Sequence, residues 1–494
     1  MNIIDRPEQL RQQLSRKVLP TLDLRPFIDG DFRDPLSQEI LAIMDPYLMA
    51  PLVEMPMPSS DDADSAVIAA HRAHANGHWR LSSPHERAAC LYRLANLIEK
   101  HLNDLSVLET SDTGRTIAGV KGWEIPHAAE VYRYYAGYAD RVLRQTIPST
   151  STNYIEVIKE PVGVCVLLIP WNFPFACIAW KMAPALAAGC TVIVKSPERA
   201  PLSAQYLARL VRESGFPAGV VNIIAGTGKE VGARLVRHPL VNKVSFTGSP
   251  ATAREIVNGS ALHFPRLTLE LGGKSPNLIF PDANIEKAAV GAVDAIFGVA
   301  GQNCCAGSRT FVHASLMDEF MRILLERTHA RKLGDPMDEA TEQGPQIDQA
   351  HLDRIASYVV DALGKGAKCH IGGRSRAGTL FYEPTILGGV TDTMALAREE
   401  VFGPVGAIYT FESEEEAFCQ ANDTEYSLAA GIWTADRDRV ERFLAFSHVG
   451  TCWVNAYNQV DVNAPWGGAG LSGYGRELGE PGFEDYLQTR SVFW

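Results

Sequence analysis

The chain has 494 residues, 46% of them hydrophobic, more than one ordinary core accommodates, so two or three domains are expected. Lys and Arg number 46 against 58 Asp and Glu, and the net charge of -12 repels a phosphate backbone or an anionic lipid surface, which argues against nucleic acid and membrane partners. The nine cysteines are odd in number and contain no CxxC pair, which fits a reducing cytoplasmic setting better than a secreted disulfide framework and implies no metal.

In chain order, the N-terminal stretch mixes acids with bases and lacks an apolar core region, so no signal or transit peptide is read there. Apolar spacing then predicts helices over Ala63 to Asn76 and Pro84 to Leu105. Asn153 to Lys159 alternates apolar and polar residues like an exposed hairpin strand. The uncharged run Val162 to Trp180 is interrupted by Pro170, Asn172 and Pro174, so it reads as a buried strand over Val162 to Ile169 feeding a rigid loop, not as a membrane span. Strands over Thr191 to Val194, Val220 to Ile224 and Lys243 to Phe246 alternate with helices over Ser203 to Glu213 and Glu230 to Val236, the pattern of parallel strands with crossover helices. A second series, Pro276 to Ile279, Thr310 to Val312, Val405 to Thr410 and Gly450 to Val454, predicts a second α/β unit. Thr489 to Trp494 reads as a terminal strand, and exposed edges of this kind often pair between subunits.

Four segments carry side chains suited to chemistry. GQNCCAGSR, Gly301 to Arg309, sets Cys304 and Cys305 among residues too small to fill a core. A thiol so placed is either one more buried cysteine or a nucleophile, and a nucleophile calls for surroundings that lower its pKa and for a base nearby. PWNFPF, Pro170 to Phe175, holds Asn172 where its amide either satisfies a turn or donates to an oxyanion. In LELGGKSP, Leu269 to Pro276, Glu270 sits between leucines, a setting that raises a carboxyl toward general-base range, unless the residue faces solvent. EEVFGPV, Glu399 to Val405, pairs two carboxylates before an aromatic and a Gly-Pro turn, and is otherwise a solvated helix end. Gly226, Gly228 and Gly232 are spaced GxGxxxG, a weak dinucleotide signal.

In this order, PWNFP, KSPE (Lys195 to Glu198), FTGS (Phe246 to Ser249), ELGGKSP, GQNCCAG, EEVFGPV and PWGGAGLSG (Pro465 to Gly473) resemble the NAD(P)-dependent aldehyde dehydrogenase superfamily over almost the whole chain. The resemblance implies an α/β fold with a Rossmann-like coenzyme domain (1–141 and 161–268), an α/β catalytic domain (269–480) and a small β oligomerisation arm (142–160 and 481–494). It implies NAD-dependent oxidation of a small-molecule aldehyde to its acid. Cys304 would attack the carbonyl to give a thiohemiacetal, the Asn172 amide and the Cys304 backbone N–H would hold the oxyanion, and Glu270 would activate the water that hydrolyses the thioester. The presence of Glu270 favours water over coenzyme A as acyl acceptor. For the cofactor, Lys195 and Glu198 match the adenosine ribose ligands, Gly228 and Ser249 lie near adenine and pyrophosphate, and Glu400 matches the nicotinamide ribose ligand. Phe402 would pack beside the nicotinamide, with Ile169 and Trp171 lining the cleft. A carboxylate at Glu198 favours NAD over NADP.

Phe173, Cys177, Trp180, Tyr457 and Trp466 fall where family pockets are lined, which suits apolar or aromatic aldehydes. Trp123 and Glu124 resemble an entrance stretch that carries acids in branches acting on aminoaldehydes, so an aminoaldehyde substrate stays open, as does a non-catalytic binding or structural relative. Lys181 has either a part in proton movement or a packing role. Three departures from the family pattern, Ala253, His351 and Trp466, bear on cofactor grip and pocket shape. A homodimer or homotetramer is expected.

Overall fold

The computed structural model describes residues 6–494; residues 1–5, the start of the stretch read above as free of a targeting signal, lie outside the described residues. An eight-stranded sheet has at its centre five parallel strands in the order Arg266–Glu270, Lys243–Thr247, Val164–Leu168, Thr191–Lys195 and Val221–Ile224. Val164–Leu168 and Thr191–Lys195 are buried at every position, as expected of parallel strands covered on both faces by helices. Short antiparallel strands, Gly473–Tyr474 at one edge and Phe27–Ile28 with Asp31–Phe32 at the other, complete the sheet.

A seven-stranded sheet follows the order Lys368–Ile371, Thr385–Gly388, Val405–Phe411, Arg309–His313, Pro276–Ile279, Ala429–Trp433 and Thr451–Val454, parallel except at its first pair. The C-terminal strand Leu487–Phe493 pairs antiparallel with Ile155–Pro161, which pairs in turn with Arg144–Ile147. Residues 481–484, placed above in the arm, belong to the helix Gly479–Glu484, so the strand starts only at Leu487.

The predicted helix Pro84 to Leu105 is two helices, Pro84–Lys100 and Leu102–Thr113, with His101 between them at φ -102, ψ 19. The apolar spacing continues through the break, so periodicity alone does not mark it; the His101 ring turns instead to the Tyr206 hydroxyl at 2.9 Å. The predicted helix Glu230 to Val236 begins as the wider turn Gly228–Gly232 and continues as Ala233–Arg237. Thr385–Gly388 and Ala429–Trp433 were not expected, because their short apolar runs carry no alternation. The uncharged run resolves into Val164–Leu168, a loop, and the helix Pro174–Ala188, and among the described residues no helix is long and apolar enough to cross a membrane.

Two features of this layout position the site. Leu168 and Lys195 pair at the carboxyl ends of two adjacent parallel strands, and Thr247 and Glu270 pair one residue further on at the ends of the next two, the place where open α/β sheets receive ligands. The helix Pro174–Ala188 starts with proline at its first position, ends at Gly189 with φ +96, and is buried at all fifteen residues. Its first turns therefore hold Cys177, Trp180 and Lys181 with little freedom.

Candidate active site

A cavity of about 1260 Å³ opens at those strand ends and runs between the two large sheets. Asn172, Glu270 and Cys304, from three distant segments, all line it. The thiol arrives through a tight backbone: after the helix Ile285–Phe297, Val299, Ala300 and Gly301 take φ of +54, +55 and +73. Gly301 lies against the Gly403–Pro404 backbone, where a Cβ would collide, so glycine is required there. The same turn presents the Gln302 carbonyl to Asn172, whose Nδ2 donates to it at 3.0 Å. Asn172 is thereby tethered beside the thiol loop, and its amide retains a second hydrogen for a ligand oxygen.

Cys304 is half-buried. The sequence led us to expect a lowered thiol pKa; the structure instead raises it well above the ordinary value, first through contact with the Cys305 thiol and then through burial. Proton removal therefore falls to a base.

Glu270 ends its strand only 3% exposed, with neither carboxylate oxygen hydrogen-bonded. Burial, and then the nearby Glu477 carboxylate, push its pKa well above the usual range, as a general base requires. Gly467 makes the room, since a Cβ there would stand 2.6 Å from Glu270 Oε1. Lys181 does not reach the cavity; its ammonium pairs with Glu477 and donates to Thr247 Oγ1 at 2.7 Å. Glu400 Oε1 accepts from the Gly273 N–H at 3.0 Å, and burial pushes this carboxyl up to about 7.

In the half of the cavity beneath the eight-stranded sheet, Ile169, Trp171, Lys195, Glu198, Gly228, Ser249, Glu400 and Phe402 all line the wall. Lys195 Nζ lies 3.2 Å from Glu198 Oε2. Ser249 caps the helix Pro250–Ser260, accepting from Thr252 N–H at 3.2 Å, and this first turn faces the cavity. A Cβ on Gly228 would meet nothing within 4 Å, so the backbone there borders open space. Phe402 adopts φ +59, and its carbonyl is 2.7 Å from His351 Nε2. The Trp171 ring crosses Phe402 edge-on at 5.4 Å. Such an open cradle, with a helix N-terminus and a carboxylate, fits a dinucleotide.

The other half is aromatic. Trp123 meets Phe173 edge-on at 5.8 Å, and Trp180 meets Trp466 at 6.0 Å. Trp180 Nε1 donates to His127 Nε2 at 3.0 Å, which fits burial holding the His127 pKa down to about 4 and the ring neutral. Tyr457, expected on this wall, does not line the cavity: it is packed on Trp453 at 4.6 Å and donates its hydroxyl to the Cys305 carbonyl at 3.0 Å. Glu124 is fully buried and also off the wall, occupied by the Arg115 guanidinium and by the Ala176 N–H at 3.2 Å. The sequence reading missed Arg115, Asn303, Asn458 and Val460, all of which line the cavity. Arg115 stands over the Phe173 ring at 4.1 Å; its pairing with Glu124 across a turn leaves no pattern to read in advance.

Comparison with known proteins places these features in context. The model of the aldehyde dehydrogenase family matches residues 32–492. An aldehyde dehydrogenase from Enchytraeus buchholzi is 43% identical over 471 residues, covering 94% of this chain and 95% of the relative. A mitochondrial benzaldehyde dehydrogenase from Antirrhinum majus is 39% identical over 468 residues, covering 94% and 88%. The crystal structure of a betaine aldehyde dehydrogenase from Staphylococcus aureus in complex with NAD+ is similar at a TM-score of 0.94 and 37% identity, covering 96% of this chain and 95% of that one.

Proposed function

The chain belongs to the aldehyde dehydrogenase family, and from that premise we propose that it oxidises uncharged aromatic or apolar aldehydes to carboxylic acids, with NAD as the hydride acceptor. One observation carries this reading: Cys304, Asn172 and Glu270, from separate segments, line one cavity beside a compartment walled by Trp123, Phe173, Trp180 and Trp466. Cys304 attacks the carbonyl carbon after Glu270 takes its proton, and the Asn172 amide with the Cys304 N–H receives the negative oxygen. NAD, when bound, supplies the site that accepts hydride. Loss of hydride would leave an acyl thioester on Cys304, and Glu270, once it has passed the thiol proton to solvent, takes a proton from the water that hydrolyses it. Lys195 and Glu198 would hold the adenosine ribose, Gly228 and Ser249 would lie near the adenine and pyrophosphate, and Glu400 with Phe402 would fix the nicotinamide end.

The two comparison proteins named for specific substrates point to a neutral ring and to a cation at nearly equal identity. Three features of the wall favour the neutral ring. Glu124 is withdrawn from the cavity, Arg115 brings a positive charge to Phe173, and the rings offer large apolar area. The division into a coenzyme domain (1–141 and 161–268), a catalytic domain (269–480) and an arm (142–160 and 481–494) belongs to the same proposal. So do assembly through the three-stranded arm as a homodimer or homotetramer, and a cytoplasmic location, which the nine unpaired cysteines support.

The test is initial-rate reduction of NAD and of NADP with benzaldehyde, hexanal, 4-aminobutanal and betaine aldehyde, with Cys304→Ser as control. The expected result is NAD reduction that vanishes in the control, with kcat/KM for benzaldehyde at least about tenfold above that for the two cations. A preference for either cation overturns the substrate assignment.

A further inference from the structure

The two adjacent thiols touch each other and share Asn303 as a neighbour, but only Cys305 reaches a second amide. Cys305 is 5% exposed, and its Sγ lies 3.3 Å from Asn303 Oδ1 and 3.4 Å from Asn458 Oδ1, both within range of a thiol donor. Cys304 Sγ is 3.9 Å from Asn303 Oδ1 and is half-buried. The two amides are themselves fixed. Asn303 Nδ2 donates to Asn458 Oδ1 at 3.3 Å, Asn458 Nδ2 donates to the Asp294 carbonyl at 3.0 Å, and Asn458 sits at φ +58, a conformation asparagine tolerates better than most residues. Asn303 Oδ1 also accepts the Cys305 N–H at 3.4 Å, while the Tyr457 hydroxyl holds the Cys305 carbonyl. Both amides line the cavity.

We propose that Asn303 and Asn458 are positioning residues that clamp the Cys305 S–H between two amide oxygens and so leave Cys304 as the single reactive thiol of the pair. Two amide oxygens within hydrogen-bond range fix the orientation of the Cys305 Sγ, so its lone pairs do not turn freely toward an incoming electrophile. The clamp also holds the Cys305 side chain toward Asn458 rather than toward an electrophile in front of Cys304. This inference rests on the assignment of Cys304 as nucleophile, and its test reads Cys305 directly, so that the two can fail separately.

The experiment follows alkylation by iodoacetamide at pH 8, site by site, by peptide mass spectrometry on the full chain. Cys177, another buried thiol on the cavity wall at 7% exposure, serves as internal control for loosening of the fold. In Cys304→Ser, Cys305 is expected to label slowly; adding Asn303→Ala and Asn458→Ala should speed it by about tenfold, the worth of one lost hydrogen bond of this kind, with Cys177 unchanged. Asn303→Asp, which keeps an acceptor oxygen, should leave Cys305 slow. The proposal is overturned if Cys305 labels as fast as Cys304 with both amides present, if their removal leaves its rate unchanged, or if Cys177 accelerates equally. Slow labelling of Cys304 in the unaltered chain would instead count against the nucleophile assignment.

Discussion

The two halves of the cavity are made of different material. The half beneath the eight-stranded sheet is built largely from backbone at strand ends, a capped helix N-terminus and a few polar side chains, so its shape follows from the topology itself. The aromatic half is built from ring side chains delivered by a buried helix, a neighbouring π-turn and a C-terminal loop, and its shape follows from which residues those segments carry. The contrast teaches that one side of the site is fixed by the fold and the other by composition. Cofactor recognition is therefore expected to change little under single substitutions in the aromatic half, and substrate choice to change readily.

The sharpest break in that comparison would come at the junction, where Glu270 serves both halves. Glu270→Gln is expected to lower steady-state turnover by roughly a thousandfold as a lost general base. If its main work is thioester hydrolysis, stopped-flow absorbance should still show one equivalent of NADH formed ahead of the slow phase; a vanished burst would place its main work at thiol activation. The same variant tests the buried charge. The Glu270 pKa is raised above its ordinary 4.5, so the native carboxyl keeps its proton where the unfolded one has lost it. Its contribution is intact below pH 4.5 and is lost as pH rises toward the native pKa. Glu270→Gln should accordingly raise Tm more at pH 8 than at pH 5.

Asn172→Ala comes next, with an expected loss of about a hundredfold in kcat from a missing oxyanion donor and little change in the Kd for NAD measured by tryptophan fluorescence. A large change in that Kd would mean that the amide serves the coenzyme half instead. The smallest effect is expected for Trp466→Phe, which removes part of one ring from the wall. The ratio of kcat/KM between benzaldehyde and hexanal should shift by roughly threefold to tenfold, with the KM for NAD unchanged.

The same division accounts for what the sequence disclosed. Segments whose backbone proves constrained were legible as motifs: GQNCCAG and PWGGAG carry Gly301 and Gly467, where a Cβ has no room, Asn172 stands between prolines, and FTGS ends in Ser249, which caps a helix. Parallel strands such as Val164–Leu168 showed as continuous apolar runs. What stayed hidden depends on contacts that form only in the folded chain. Arg115, in a loop, finds Glu124 only once the helical turn Val120–Glu124 has folded, and Tyr457 faces Cys305 instead of the cavity because of how its loop is seated on Trp453. The raised Cys304 pKa belongs to the same class: the twin cysteines were plain in the sequence, but that their thiols touch and that the fold buries Cys304 was not.

The helix Pro174–Ala188, buried along its whole length, has a consequence for how this enzyme can diversify. A helix with no solvent face offers few neutral positions, so replacing Cys177 or Trp180 to admit a new aldehyde disturbs the core packed behind the cavity wall. Val460 borders the same compartment from a loop and is only half-buried against the core. Libraries built to alter substrate choice should therefore retain more folded members when they randomise the loop around Val460 than when they randomise the helix, and the same asymmetry would steer natural drift in specificity toward the C-terminal loop.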